Sequence, residues 1–396
     1  MKVCFYFQVH QPMRLAQFSV FSKKGETVFG RYFDEGLNKQ ILDKVAAKCY
    51  LPTNRMLLQC LEKNPQLHLS FSITGVFLEQ ARLYNPEVME SFRSLAKTGR
   101  VEFLSETYYH SLSSLFDEKK EFEQQLKLHE TAISEFTKPS KVLRNTEAKF
   151  SNNIAKMAEG MGYEGIMAEG IESMLGWRSP TYLYSVHGTQ KIKALLRHYK
   201  LSDDIGYRFS QKSWNQWPLT APKYAKWLSE IEGDCVNLFM DYETFGEHHW
   251  EDTGIREFLS GTFDEISKYS SLEFATPSQI AKDTEAKGEI DSPEVVSWAD
   301  NERDTSAWLG NEMQRSCFSE ITALEKQVKE INDSELTRVW RHLQNSDHLY
   351  YCCTKSLSDQ DVHNYFSPYE SPFDSYINYM NILQDLKSEI NERMRK

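Results

Sequence analysis

The sequence predicts an α/β protein: a parallel sheet closed into a barrel, followed by a helical C-terminal domain. Three observations predict it. Short apolar stretches alternate with amphipathic helical ones over the first 290 residues, the pattern of strand-helix units feeding a parallel sheet. Two of those stretches end in carboxylates, at 147 and 241, and the carboxyl ends of strands are where (β/α) barrels present chemistry. After Pro293 the strand pattern fades and helical periodicity takes over.

Strands are expected at residues 3–9, 67–73, 101–104, 142–146, 165–168, 192–197, 236–240 and 272–275. Eight would close a barrel by count, although periodicity alone does not separate a short strand from a buried piece of helix. The first is stopped by His10-Gln11-Pro12, since proline cannot donate to a ladder. Between strands, helices are expected at 117–136 and at 151–161, the latter opened by the capping run Ser151-Asn152-Asn153 and followed by Gly162. The C-terminal domain reads as helices at 305–331, 333–353 and 372–395, with a Ser, Asp, Asn and Pro-rich loop at 356–371. The charged, glycine-containing stretch 282–289 is the expected linker, giving a barrel over 1–290 and a helical domain over 291–396.

Size and charge narrow the function. The 396 residues suffice for one barrel of roughly 250 residues and a satellite domain. With 46 basic against 57 acidic residues the net charge is -11, which argues against nucleic acid as a partner and is compatible with a neutral substrate. The 13% aromatic content suits sugar-stacking platforms and ordinary core filling equally. Seven scattered cysteines lack both C-x-x-C spacing and disulfide-scaffold density, so reduced thiols are expected. The N-terminus turns polar too early for a signal peptide, and no apolar run reaches the roughly 18 residues that would cross a membrane. A cytoplasmic protein with no membrane or nucleic-acid partner is the expectation.

Glu147 and Asp241 carry the chemical reading. Retaining cleavage of a glycoside needs one ionised carboxylate to attack and one protonated acid to serve the leaving oxygen, about 5 to 5.5 Å apart. Arg144 or Asn145 could keep the first ionised; burial and the like charge of Glu243 could keep the second protonated. The competing reading is a pair of strand-end acids that cap the following helices. His10 could bind a sugar hydroxyl or hold a carboxylate, against an ordinary structural role. Glu102, an acid inside an apolar strand, needs a partner network. Glu106 and His110 follow on the adjoining loop. The run Glu247-His248-His249 raises a metal question, but adjacent histidines diverge and H-E-x-x-H is absent. The acid- and tryptophan-rich tract from Trp298 to Trp308 reads either as a cleft wall or as a helix N-terminus. Nucleotide-binding and serine-hydrolase signatures are absent.

Five short regions, in order, carry a resemblance: His10-Gln11-Pro12; Gly99-Arg100-Val101-Glu102; Arg144-Asn145-Thr146-Glu147; Asp241-Tyr242-Glu243-Thr244-Phe245-Gly246; and the tract from Trp298 to Asn311. Together they resemble glycoside hydrolase family 57, in particular its α-amylase branch. The resemblance implies an incomplete (β/α)7 barrel, one strand fewer than the eight candidates, with a helical domain lining the cleft. It implies Glu147 as nucleophile and Asp241 as general acid/base, and His10, Gln11, Glu102, Glu243, Asp304 and Trp308 as substrate contacts or supports. It implies retaining action on α-glucans such as starch, glycogen or maltooligosaccharides, with no organic cofactor or catalytic metal. After Glu147 the chain has Ala148-Lys149 where amylase relatives often carry bulkier apolar residues. A 4-α-glucanotransferase and a non-catalytic glucan-binding protein are the alternatives, with metal-dependent hydrolysis through His10, Asp241 and His248 or His249 as a further one.

Overall fold

The computed structural model describes residues 1–19, 27–355 and 367–395; most of the loop expected at 356–371 lies outside them. The described residues form ten strands: β1 (Lys2–Val9), β2 (Leu69–Ile73), β3 (Val101–Phe103), β4 (Val142–Leu143), β5 (Gly165–Glu169), β6 (Tyr184–Val186), β7 (Lys193–Arg197), β8 (Cys235–Asp241), β9 (Glu273–Phe274) and β10 (Glu289–Ile290). Seven make the barrel wall in the order β4-β5-β7-β8-β1-β2-β3, every neighbouring pair parallel. This is the incomplete (β/α)7 barrel that the resemblance implies.

The eighth candidate strand, expected at 272–275, is the two-residue β9, which pairs with Lys2 and Val3 at the foot of β1. It cannot extend into the wall because β2 pairs with β1 from Tyr6 onward. β6 runs antiparallel to β7, and β10 pairs with β6, so the chain is still tied to the sheet at Ile290.

Two seams in the wall are narrow. β3 and β4 meet through the single bridge Ser105–Leu143, with Ser105 N donating to Val142 O (3.1 Å) and Arg144 N to Ser105 O (2.8 Å). β7 and β8 share only the pair Arg197–Asn237. Side chains close that seam: Asn237 Nδ2 donates to Leu196 O (3.0 Å) and Arg197 Nε to Phe239 O (2.8 Å).

Period-two alternation along the strands turns each wall residue either outward to the helices or into the barrel. Phe5, Phe7, Phe71, Leu238 and Met240 face outward against the surrounding helices. Cys4, Tyr6, Leu104, Val142, Met167, Leu195 and Phe239 fill the barrel, where Ile280 and Ala281 of the helix Pro277–Asp283 close the foot. One further step up each strand brings Gln8, Arg144, Glu169, Arg197 and Asp241, so the barrel changes from apolar to charged within one layer.

Of the three expected C-terminal helices, the last runs nearly as expected, Pro372–Met394, and the first two break up. The stretch expected at 305–331 breaks into Ser306–Leu309, Glu312–Ala323 and Glu325–Ile331, with Asn311 and Gln314 forming a capping box. The stretch expected at 333–353 breaks into Ser334–Leu343 and Ser346–Tyr350, the second capped by Asn345. These helices share a core with barrel-mouth segments: Trp308, Trp340, Leu343, Ile382 and Leu386 pack with Met13, Phe29, Tyr32 and Tyr109. No helix among the described residues is long and apolar enough to cross a membrane.

Candidate active site

A cleft of ≈ 560 Å³ opens at the carboxyl ends of the wall strands, lined by Gln8, His10, Glu147, Asp241, Glu243, Trp298 and Asp347 among others. Glu147 reaches it from a single turn of 3-10 helix after β4, with φ at 58°. The turn is fastened by Asn145 Nδ2, which donates to Lys149 O (2.9 Å) and Ser114 Oγ (3.0 Å), and by the Thr107–Thr146 hydroxyl pair (2.6 Å). His110, Asp300 and Arg303 also line the cleft with positive φ, and Ala148 beside Glu147 shares that backbone region. Left-handed backbone costs a non-glycine residue roughly 1–3 kcal/mol, and such strain gathers where side-chain placement is functional.

The Glu147 carboxylate is held on both oxygens. His110 Nε2 lies 2.9 Å from Oε1, and the Trp298 indole N–H donates to Oε2 at 2.8 Å. Trp298 also donates its backbone N–H to Glu147 O (3.3 Å). Burial alone would favour the protonated carboxyl, but His110, Arg144 and Lys149 outweigh it and hold Glu147 well below the usual carboxylate range. Burial opposes a charged His110 as well; Glu106 and Glu147 overcome it and raise the imidazole to about 9. His110 Nδ1 lies 3.7 Å from Glu106, completing a Glu106–His110–Glu147 chain.

Arg144 does not donate to Glu147 as a hydrogen-bond partner. It is 1% exposed, and none of its three nitrogens has an acceptor among the described residues. Its guanidinium lies 4.8 Å from the Trp298 ring centre, with Arg197 at 5.7 Å from the same ring. Its influence on the carboxylates is therefore through charge and through the indole it packs against.

Asp241 ends β8 in an opposite setting. Burial and the negative charge of Glu147 push it up to about 6, although Arg144 and Arg197 pull the other way. Glu243, one turn on, is pushed up to about 8 by burial and then by Asp241. It accepts from the Tyr50 hydroxyl, which in turn accepts from Gln11 Nε2 at 3.1 Å. Gly246 fixes the loop after them: at φ 143°, a Cβ there would meet Lys48 O at 2.1 Å.

Six of the eight sequence-derived positions are thus easily placed. Glu147, Asp241, His10, Gln11 and Glu243 line one cleft, and Glu102 does not. The Glu102 carboxylate accepts from Ser140 Oγ and from Ser278 N (3.0 Å) and Oγ at the barrel foot. The Tyr6, Leu104 and Phe239 layer separates it from the cleft. Its anomaly as an acid in an apolar strand is answered by serines. Asp304 is exposed and accepts from Ser306 N (2.7 Å), and Trp308 is buried with Lys149 Nζ 3.0 Å from its ring centre. The C-terminal contribution comes instead from Trp298, Asp300, Arg303, Asp347 and Tyr350.

Three further polar side chains, Glu169, Arg197 and Asp347, escaped the sequence reading, and a fourth, Arg303, lay unremarked within the tract from Trp298 to Trp308. Glu169 and Arg197 pair at 3.1 Å on neighbouring strand ends, and Arg303 joins them at 3.2 Å from Glu169. Asp347 lies 3.1 Å from His10 Nε2, whose Nδ1 meets Thr74 Oγ1 at 2.8 Å. Period two places Glu169 and Arg197 inward once their strands are accepted; for Asp347 the signal was the Asn345-Ser346-Asp347 cap.

His10, His110 and Asp347 bring ligand-type atoms within 4.8 Å of one another. Their chemistry does not fit a metal cage. Both nitrogens of His10 are engaged, Glu106 and Glu147 favour the protonated form of His110, and the rings stack 23° from parallel, so their in-plane lone pairs do not converge. The Glu247-His248-His249 run diverges as expected: Glu247 pairs with Lys44, and His249 binds Ser210 Oγ (2.6 Å) and Ile205 O (2.9 Å).

The family comparison places this barrel among the glycoside hydrolases. The chain belongs to glycosyl hydrolase family 57, whose profile matches residues 4–293. A putative alpha-amylase of Methanocaldococcus jannaschii is 47% identical over 407 residues, covering 100% of this chain and 86% of that protein. An alpha-amylase of Pyrococcus horikoshii is 23% identical, covering 75% of this chain and 45% of its own length. Among solved structures, a GH57-type branching enzyme of Pyrococcus horikoshii superposes with TM-score 0.68 at 14% identity, covering 99% of this chain and 94% of that one. That likeness concerns the fold.

Proposed function

We propose that the protein hydrolyses α-1,4-glucosidic bonds of starch, glycogen or maltooligosaccharides by double displacement, with Glu147 as nucleophile and Asp241 as acid/base. The observation that carries the reading is the opposite environment of two carboxyls in one cleft: Glu147 kept ionised by His110, Arg144 and Lys149, Asp241 raised to about 6 by burial and by Glu147. In the first step Glu147 attacks the anomeric carbon while Asp241 gives its proton to the leaving oxygen. In the second, Asp241 takes a proton from water as water displaces Glu147. Trp298 and His110 keep the attacking carboxylate aimed, and the Glu243–Tyr50–Gln11 chain adds a protonated carboxyl at the cleft wall.

The test is the anomeric configuration of the first product from maltooligosaccharides, read by proton NMR, together with Glu147→Gln and Asp241→Asn. Retention is expected, with turnover abolished in both variants and maltotriose binding kept in the first. Inverted product, or undiminished reducing-end release by E147Q, overturns the assignment. Longer oligosaccharides as the main products from maltotriose would mean transfer in place of hydrolysis.

A further inference from the structure

A second cavity, of ≈ 290 Å³, opens where the chain leaves β5 and β7, lined by Gly170, Glu172, Ser179, His198, Tyr199 and Lys200 among others. It shares a wall with the catalytic cleft: Arg303 lines the cleft, and its guanidinium lies 5.3 Å from the Tyr199 ring centre. In the turn between Leu175 and Arg178 stands Trp177, 96% exposed and the barest large apolar side chain described. Its neighbours Leu175 and Arg178 both line the cavity.

The backbone that carries this indole is fixed. Gly176 N donates to Glu172 O (2.7 Å) and Arg178 N to Leu175 O (3.1 Å). The Arg178 guanidinium donates to Leu175 O (2.9 Å), Met174 O (2.9 Å) and Glu289 O, and lies 5.4 Å from the Tyr184 ring centre. A tryptophan left in water on a rigid loop exposes a flat apolar face at a free-energy cost and with no return from packing. Beside it the cavity is lined by the Glu172 carboxylate, which accepts from the Tyr199 hydroxyl (2.6 Å), and by Ser179, His198 and Lys200, whose remaining donor and acceptor positions can meet sugar hydroxyls. A flat apolar face next to a ring of mixed donors and acceptors is complementary to a pyranose, which has a C–H face and a hydroxyl edge.

We infer that Trp177 and this cavity form a second carbohydrate-binding site that holds a glucose unit of a long α-glucan outside the catalytic cleft. The inference takes its ligand class from the proposed function. A chain held there stays at the barrel mouth between cleavages, so the site acts on polysaccharide and is silent for a substrate that fills only the cleft.

The test compares wild type with Trp177→Ala and Trp177→Phe by retardation in glycogen-containing native gels and by KM for glycogen and for maltotriose. W177A is expected to lose glycogen affinity about fivefold to tenfold, W177F to keep most of it, and maltotriose turnover to be unchanged in both. Wild-type retardation of W177A, absence of retardation in wild type, or an equal loss on maltotriose overturns the site. The two readings fail separately. Glycogen binding through Trp177 without sugar release sinks the hydrolase and leaves the site; glycogen cleavage that W177A matches does the reverse.

Discussion

His10 and His110 lie face to face, ring centres 4.0 Å apart, and their surroundings shift them in opposite directions. Burial and the neighbouring His110 charge lower His10, whereas Glu106 and Glu147 raise His110 to about 9 against burial. Two cations could not share that stack at such a distance. One charge is therefore committed to the Glu147 carboxylate, and the other ring stays neutral to bridge Thr74 and Asp347.

The activity should have an early alkaline limb. Turnover needs Glu147 ionised and Asp241 protonated; the first holds far into acid, and the second fails as pH rises through about 6. We expect kcat/KM to fall about tenfold per pH unit above that point. In Glu147→Gln the like charge is gone, so Asp241 should titrate lower by carbon-13 carboxyl NMR; an unchanged titration would dissociate the two groups.

His110 should make stability pH-dependent. Its folded value lies above the ordinary 6.5, so its contribution is complete below pH 6.5 and lost as pH rises through about 9. The shift corresponds to roughly 3 kcal/mol at most. The gap in melting temperature between wild type and His110→Gln should be widest in acid and narrow across that window. A gap independent of pH would mean that His110 acts by shape alone.

Trp298→Phe keeps a ring beside Arg144 and Arg197 but removes the N–H from Glu147 Oε2. A hydrogen bond to a charged group contributes about 1.5–3 kcal/mol, so kcat should fall about tenfold to hundredfold with a smaller change in KM. A raised KM at unchanged kcat would instead make the indole a sugar platform.

Glu102→Gln tests the barrel foot. The variant should keep kcat/KM within about twofold while losing about 1–3 kcal/mol of stability by urea unfolding, because the Ser140 and Ser278 donors lose their charged acceptor. Loss of activity at intact stability would return Glu102 to the site.

What the sequence displayed was the part of the site that obeys local rules. Asp241 and Glu147 stand at the ends of apolar runs, and His10 and Gln11 sit before a proline, so strand ends alone located them. Glu102 misled because an inward-facing acid looks the same at the foot of a barrel as at its mouth; only register tells them apart. Leu104 above it faces the apolar layer, and that emerges only when β3 is paired with β2. Asp347 was hidden for another reason. Helical periodicity ran through Gln344 and Asn345, where the chain actually bends so that Ser346 N can reach His110 O (2.9 Å). Asp304 and Trp308 lay in the right tract, but a local bond to Ser306 claimed one and core packing the other.

Arg197 has two employments that cannot be separated. The same guanidinium that joins Glu169 beside the cleft also rivets Phe239 across the thinnest joint of the wall. Attempts to reshape the electrostatics of that flank by substitution would at once loosen the strand that presents Asp241. Tolerance to engineering should therefore be lopsided around the rim: generous toward Trp177, and close to nil where a charge doubles as a fastener.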